Sequence, residues 1–373
     1  MSTETENHCF RVLVLGGSGV FGQNICRHLC EDMGTEVIAA GRSQAKLDAF
    51  AAEVDVKTAA FDIAIDLEKA LKELQPDLVI HAAGPFQGAD YAVAEACIGQ
   101  AISYIDLSDG RDFVMGFSAL DEAARKAGVV AITGASSVPG LSSAAYSQLA
   151  ADFAAIDSLE IGIAPGNRAP RGLAVMQAIL GYTGKPIPRY DNGLWGVVSG
   201  WQDLHRRTIP GLGTRWFSAC DVPDVALFPL KAPNLKRVAF YAGLELPLMH
   251  LGLWLCSWPV RWGLIKSLVP AAKLFQILAG WLYPLGSDRG GMYVLLEGVG
   301  LDGAPLRRTW SLVAESGDGP HIPSMAAVIL ARKLASGAFK EHKGAMVCFD
   351  LFTVDEFLDS VKVLDIKATC ASA

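Results

Sequence analysis

Charge and metal-ligand patterns are what this 373-residue chain has least of. Charged residues make up only 19% of it, and no long block of one sign accompanies the net charge of −7. That excludes the basic stripe by which proteins grip nucleic acid, so no nucleic-acid partner is expected. Eight cysteines are scattered without a CxxC pair, and the seven histidines form no HExxH. The expectation is a reduced, cytoplasmic protein without a structural metal. The opening MSTETENHCF has no basic end followed by an apolar stretch, so no secretory signal is read there.

Long apolar runs are also missing, although hydrophobic residues reach 51% and the mean hydropathy is +0.31. The greasiest segment, 246–287, holds no acid and only Arg261, Lys266 and Lys273 as fixed charges. Its uncharged runs, Leu246–Val260 and Leu274–Ser287, cover 15 and 14 residues and are interrupted by prolines. Spanning a bilayer takes about 20. Trp254, Trp258 and Trp262 recur at i+4 beside Arg261 and Lys266. Three readings fit: a pocket for an apolar substrate, a buried homodimer interface, or a peripheral membrane contact.

What is present is a regular alternation through the first 135 residues. Apolar runs at Val12–Leu15, Val37–Ala40, Lys57–Phe61, Leu78–Ala83, Ile102–Leu107 and Val129–Thr133 read as strands covered on both faces. Helical spacing between them includes Phe21, Ile25 and Leu29 at i+4. The rhythm predicts an α/β fold with a Rossmann-type doubly wound parallel sheet over about 1–150. Beyond it, glycine, proline and tryptophan become frequent and strands such as Ser158–Ala164, Met292–Gly300 and Leu306–Ala314 look antiparallel. An inserted α+β domain is expected over 151–344, with the tail 345–373 packing back on the first domain.

The first strand ends in "GGSGVFGQ", with Gly16, Gly19 and Gly22 three apart and a helix following. A tight strand-to-helix turn is the plainer alternative. In this context the first glycine allows the turn, the second admits a pyrophosphate and the third lets the helix approach the strand. Ser18, Val20 and Phe21 share the turn and its free N–H groups. The second strand ends in "AAGRSQAKL" without the carboxylate that holds an NAD ribose. Arg42 and Ser43 stand there instead, suited to a 2′-phosphate. The expected cofactor is therefore NADPH in preference to NADH. Asp62 and Ile63 are placed against the adenine, and Ala83, Gly84 and Pro85 beside the ribose.

"LGGSGVFGQ", "AGRSQAKL", "VIHAAGPFQGADYAVAEACIGQAISYIDLSDGRDFV" and "GASSVPGLSS" together resemble the saccharopine dehydrogenase-like NAD(P)-binding oxidoreductases. The likeness covers residues 10–145, and "GDGPHIPSMAAVILARKLASG" resembles a segment of the bacterial branch. It implies a Rossmann domain with an inserted mixed α/β domain. Saccharopine-forming reductases carry a Cys-Gly-Gly-Leu-Pro type loop where this chain has "TGASSVPGLSS", and its insert offers tryptophan and leucine rather than arginine. Saccharopine is thus not the expected substrate.

No tyrosine is followed by lysine four positions on, which removes the pair used by short-chain dehydrogenases. Candidates for the chemistry are Tyr104, Asp106, Ser108 and Asp109 in "YIDLSDG", with Ser108 also beside the cofactor. Asp106 alternatively holds its loop through backbone N–H groups. Ser136 and Ser137 follow the sixth strand, and His321 in "GDGPHIP" is a further general-acid candidate. Asp288 and Arg289 form a polar anchor or a local ion pair. The expected function is NADPH-dependent reduction of a C=O, C=N or activated C=C bond of a fairly apolar small molecule. The alternative is a non-catalytic NADPH-binding protein that docks on a membrane or partner through 246–287.

Overall fold

The computed structural model describes residues 9–170 and 172–372. In chain order its elements begin β1 (Phe10–Leu15), α1 (Val20–Cys30), β2 (Thr35–Gly41), α2 (Gln44–Ala51), β3 (Lys57–Ala60), α3 (Ile63–Leu74), β4 (Leu78–His81) and α4 (Ala92–Gly99). There follow β5 (Ser103–Asp106), α5 (Arg111–Gly116), α6 (Asp121–Ala127), β6 (Val130–Thr133), α7 (Ser142–Ala150), β7 (Phe153–Ala164), α8 (Leu173–Tyr182), β8 (Pro186–Asp191) and β9 (Leu194–Ser199). Then come β10 (His205–Ile209), β11 (Gly213–Ala219), α9 (Asp224–Lys231), β12 (Arg237–Leu244), α10 (Pro247–Arg261) and α11 (Ala272–Trp281). The chain closes with β13 (Gly290–Gly300), β14 (Pro305–Ala314), α12 (Ile322–Ala335), β15 (Gly344–Val347), α13 (Val354–Ser360) and β16 (Ile366–Ser372). These elements sort into two compact units.

The first unit is built on a parallel sheet in the order β15-β6-β5-β4-β1-β2-β3. Strands three to one and four to six reproduce the doubly wound order, with β15 added beyond β6. Val12, Leu13, Val14 and Leu15 are fully buried, which is why β1 reads as an unbroken apolar run. A sheet covered on both faces needs helices on each, and one of them comes from far along the chain. Helix α12 buries Met325 through Leu330, and Arg332 grips the end of α1. Its Nε donates to Asp32 Oδ2 at 2.8 Å, and Nη2 donates to Asp32 Oδ1 and the His28 carbonyl at 3.0 Å each.

The second unit is a mixed sheet in the order β10-β11-β12-β7-β13-β14-β16, with the β8–β9 hairpin attached to β12 through β8. Only β12 and β7 run parallel along that path; the other pairs are antiparallel. Gly162 has no side chain where the ring of Tyr293 crosses it, since a Cβ there would sit 2.1 Å from the ring. The Tyr293 hydroxyl thereby reaches buried Glu160 at 2.8 Å, and Arg207 Nε reaches the same carboxylate at 2.8 Å. This charge is buried but paired and hydrogen-bonded, the condition under which burial is tolerated.

Three expected boundaries move. Helix α7 belongs to the second unit rather than the first, and α12 belongs to the first rather than the inserted domain. Of the tail expected to return to the first domain, only β15 does so, pairing with β6 from Gly344↔Val130 to Val347↔Thr133. Residues 349–372 join the second unit, where β16 covers the edge of β14 from Ala314↔Ile366 to Arg308↔Ser372. An uncovered β14 would present a row of unpaired backbone groups. A chain ending at Leu364 is therefore expected to melt lower by roughly 5 °C or more and to self-associate. Calorimetry with light scattering checks this, and an unchanged melting temperature would make β16 dispensable.

Candidate functional site

The glycine turn is held by close backbone contacts. Gly16 has φ +81°, a left-handed conformation that glycine adopts without penalty. A Cβ on Gly22 would lie 2.2 Å from the Gly16 carbonyl oxygen, and one on Gly17 would lie 2.8 Å from Ala39 Cα. Hydrogen bonds fix the turn to its neighbours: Gly17 N donates to the Ala40 carbonyl, Gly19 N to Gly16, and Ala82 N to Leu15. Gly19 caps α1 with no side-chain cap bond, and the first turn of α1 carries no acid. The N–H groups of Val20, Phe21 and Gly22 thus keep no hydrogen-bond acceptor among the described residues. A helix N-terminus in this state attracts a phosphate.

The end of β2 lies against this turn, because a Cβ on Gly41 would sit 3.1 Å from Ser18 Oγ. Arg42 follows, exposed and with no hydrogen bond or ion pair among the described residues. Ser43 takes the N-cap position of α2 without spending its hydroxyl on a cap bond. Ala83 closes the other side of the turn, 3.0 Å from where a Gly16 Cβ would be, and Gly84 and Pro85 continue outward, exposed. Asp62 and Ile63 stand at the end of β3, where Asp62 N-caps α3 by accepting from Ala64 N at 3.0 Å. These residues fit a dinucleotide: the cradle is one that side chains would fill, and the cation beside it has no partner among the described residues.

A second group gathers at the C-terminal ends of β4, β5 and β6. Asp106 is fully buried, and its Oδ1 accepts from Ser108 N at 2.9 Å, Thr133 Oγ1 at 2.9 Å and Gly134 N at 3.0 Å. Its Oδ2 has no hydrogen-bond partner. Burial pushes its pKa up to about 6, against the pull of those donors. The Tyr104 hydroxyl lies 3.1 Å from Nδ1 of His81, and burial holds the phenol well above its usual pKa. Burial also pushes His81 down to about 4, so the imidazole is neutral at physiological pH. His81 was missed in the sequence. Its signal was a polar residue ending an apolar strand, directly before "AAGPF".

The remaining candidates are divided between the two units. Ser108, Ser136 and Ser137 are buried in the first unit, whereas Asp109 and His321 belong to the second. His321 is half-buried at the end of a single 3-10 turn, Gly319–His321. Asp318 spends Oδ2 on the backbone N of Asp365 at 2.7 Å. Arg289 pairs with Glu315 at 2.7 Å and donates to the Gly211 carbonyl, a local anchor for β13. The second unit also holds a buried acid that the motifs did not flag. Asp224 accepts from Ser142 Oγ, leaves Oδ2 without a partner, and is pushed up to about 7 by burial.

The Asp106 shift has a sign that can be tested. The native state binds this proton more tightly than the unfolded chain, so stability falls as pH rises from about 4 to about 6. Asp106→Asn keeps one acceptor and removes the ionisation. Its cost relative to the parent is expected to shrink as pH passes upward through that window, by about 1–3 kcal/mol. Urea unfolding of both proteins on either side of the window measures this, and a pH-independent difference would contradict it.

Comparison with known proteins agrees with the geometry. Residues 12–132 match the family profile described as saccharopine dehydrogenase NADP binding domain. No curated protein matches the chain in sequence. Among solved structures, saccharopine dehydrogenase (L-Glu forming) from Saccharomyces cerevisiae shares the fold with a TM-score of 0.68, at 15% identity over 97% of this chain and 99% of that one. An amine dehydrogenase from Mycobacterium smegmatis matches at 0.48, 12% identity and coverage of 92% and 96%. Biliverdin reductase from Synechocystis sp. PCC 6803 matches at 0.45, 12% identity and coverage of 95% and 96%. Residues 12–132, which contain the glycine turn, thus match a saccharopine dehydrogenase NADP binding domain, and the whole chain shares the fold of a saccharopine dehydrogenase.

Proposed function

We propose that the chain is an NADPH-preferring reductase acting on a C=O, C=N or activated C=C bond of a fairly apolar small molecule. The observation that carries the cofactor preference is Arg42: an exposed guanidinium without a hydrogen bond or ion pair among the described residues, next to the residue that abuts Ser18 of the glycine turn. A 2′-phosphate gives it the doubly charged acceptor that the protein does not. Ser43 adds a hydroxyl donor, and the N–H groups of Val20, Phe21 and Gly22 take the pyrophosphate. Asp62 and Ile63 border the adenine, and Ala83, Gly84 and Pro85 the ribose. When bound, NADPH supplies the hydride.

The protein's own contribution is positioning and proton handling. Asp106 ties Ser108, Thr133 and Gly134 to one carboxylate oxygen, which holds the loops after β5 and β6 in place. Tyr104, enclosed, and His81, half-buried, are both neutral, so they too act by fixing the ends of their strands. His321 is the candidate general acid with a side chain still partly open to solvent. In this reading Asp106 and Tyr104 are positioning residues, and His321 is a general-acid candidate carried by the second unit.

Arg42→Glu is expected to weaken NADPH binding about 10–100-fold while leaving NADH nearly unchanged, read by quenching of tryptophan fluorescence. Equal loss for both nucleotides would remove Arg42 from the site. An NADPH-oxidation screen over ketones, imines and enoyl thioesters tests the reaction class. Tight NADPH binding with oxidation by none of the three would transfer the assignment to a non-catalytic NADPH-binding protein.

A further inference from the structure

Helix α10 is built with its polarity reversed. The residues it buries against the second sheet are His250, Leu253, Ser257 and Val260. Two of those four are polar, and both have partners inside: Ser218 Oγ lies 3.0 Å from His250 Nε2, and Gln202 donates to Ser257 Oγ. The opposite stripe runs Leu248, Leu255 and Trp262, seven residues apart and 69%, 60% and 64% exposed. Spacing of seven keeps side chains on one helical face. The connection after α10 continues the stripe with exposed Leu264 and Ile265. In α11, Leu274, Ile277 and Trp281 repeat the arrangement at i, i+3 and i+7, each more than half exposed.

The fixed charges within 246–287 and in the pocket beside Arg261 have one sign. Lys185, Arg261 and Lys266 line a single surface pocket with Ile265, and Arg261 lies 5.0 Å over the ring of Trp258. No acid occurs between Leu246 and Ser287 in a protein whose net charge is −7. The preceding acid, Glu245, is already engaged by Asn167 N and by the N–H and hydroxyl of Ser287. A second copy docked on this stripe about a two-fold axis would bring these cations towards their own images without a counter-charge. A layer of anionic headgroups over an apolar phase meets both demands. Lysine and arginine pair at the headgroup level, while leucine and tryptophan enter the acyl boundary.

Length decides the mode of contact. No helix among the described residues is long and apolar enough to cross a membrane, and α10, with 15 residues, extends only about 22 Å. We propose that the outer stripe of α10, with the loop after it, is an interfacial docking face for an anionic lipid bilayer. The helix lies in the plane of the interface, with Leu255 and Trp262 seated in it and Lys185, Arg261 and Lys266 on the headgroups.

Co-sedimentation of the full chain with vesicles tests this. The protein is expected to pellet with phosphatidylcholine vesicles containing phosphatidylserine, weakly with phosphatidylcholine alone, and less as salt is raised. Leu255→Glu with Trp262→Glu alters only exposed side chains and should lower binding at least about tenfold. Arg261→Glu with Lys266→Glu should remove the preference for the anionic vesicles. Thermal melts establish that each variant is folded. Parent protein that stays in the supernatant with the anionic vesicles overturns the proposal, as does undiminished binding of the Leu255/Trp262 variant. A parent that is dimeric by light scattering and becomes monomeric in that variant would assign the face to a second copy instead.

Discussion

The first unit depends on one contact that only glycine permits: the backbone of α1 at Gly22 resting on the Gly16 carbonyl. A Cβ at Gly22 would lie 2.2 Å from that oxygen, well inside contact distance, so helix and turn meet with no side chain between them. Gly17 repeats the condition against Ala39, and Ala83 closes on Gly16 from β4. The turn is therefore located by three strands at once, and what it offers follows from that placement. Its helix N-terminus is aimed outward and carries no compensating acid. Gly41 abuts Ser18, so whatever follows Gly41 stands beside the glycine turn. Arg42 has its significance through that adjacency; the same side chain on another turn would be an ordinary solvated cation.

Two buried carboxylates show a different use of charge. Asp106 and Asp224 are each fully enclosed, and each leaves one oxygen without a hydrogen-bond partner. Burial raises both, to about 6 and about 7. A surface carboxylate would cost less and hold nothing. Asp106 gathers two backbone N–H groups and a hydroxyl from two different loops onto a single oxygen, a set of bonds that apolar replacements cannot supply. The desolvation cost is thus set against loop rigidity where a doubly wound sheet binds its ligands, at the C-terminal ends of its strands.

Legibility in the sequence divides along physical lines. Strands β1 to β6 were readable because burial on both faces leaves an unbroken apolar run, as in Val12–Leu15. The glycine turn was readable because backbone constraints are written locally. Helix α12 was not assigned to its sheet: Met325–Leu330 says that the helix is buried but not against what, and the Arg332–Asp32 clamp joins residues 300 apart. β16 was absorbed into the tail because Ile366–Ser372 is short and has its partner, β14, far upstream. Asp106 had two readings that need the same residue after the same strand, and only its three donors distinguish them. His81 carried a polar signal in an apolar strand, which gains meaning once Tyr104 is found 3.1 Å away.

The segment 246–287 shows why composition alone misleads. A mean hydropathy of +0.31 suggests a large core or a membrane span, yet part of the apolar count in α10 and α11 faces outward while α10 buries histidine and serine. Hydropathy sums are blind to which face a residue occupies; the seven-residue spacing of Leu248, Leu255 and Trp262 is not. The outward placement also changes the basis for expecting an apolar substrate. Most of these side chains coat a surface rather than line a pocket, so in the proposed reading they bear on a substrate through where they would hold the protein. If the two proposals hold together, a reductase at a lipid interface would meet molecules already partitioned there, and apolar residues need not enclose an apolar substrate.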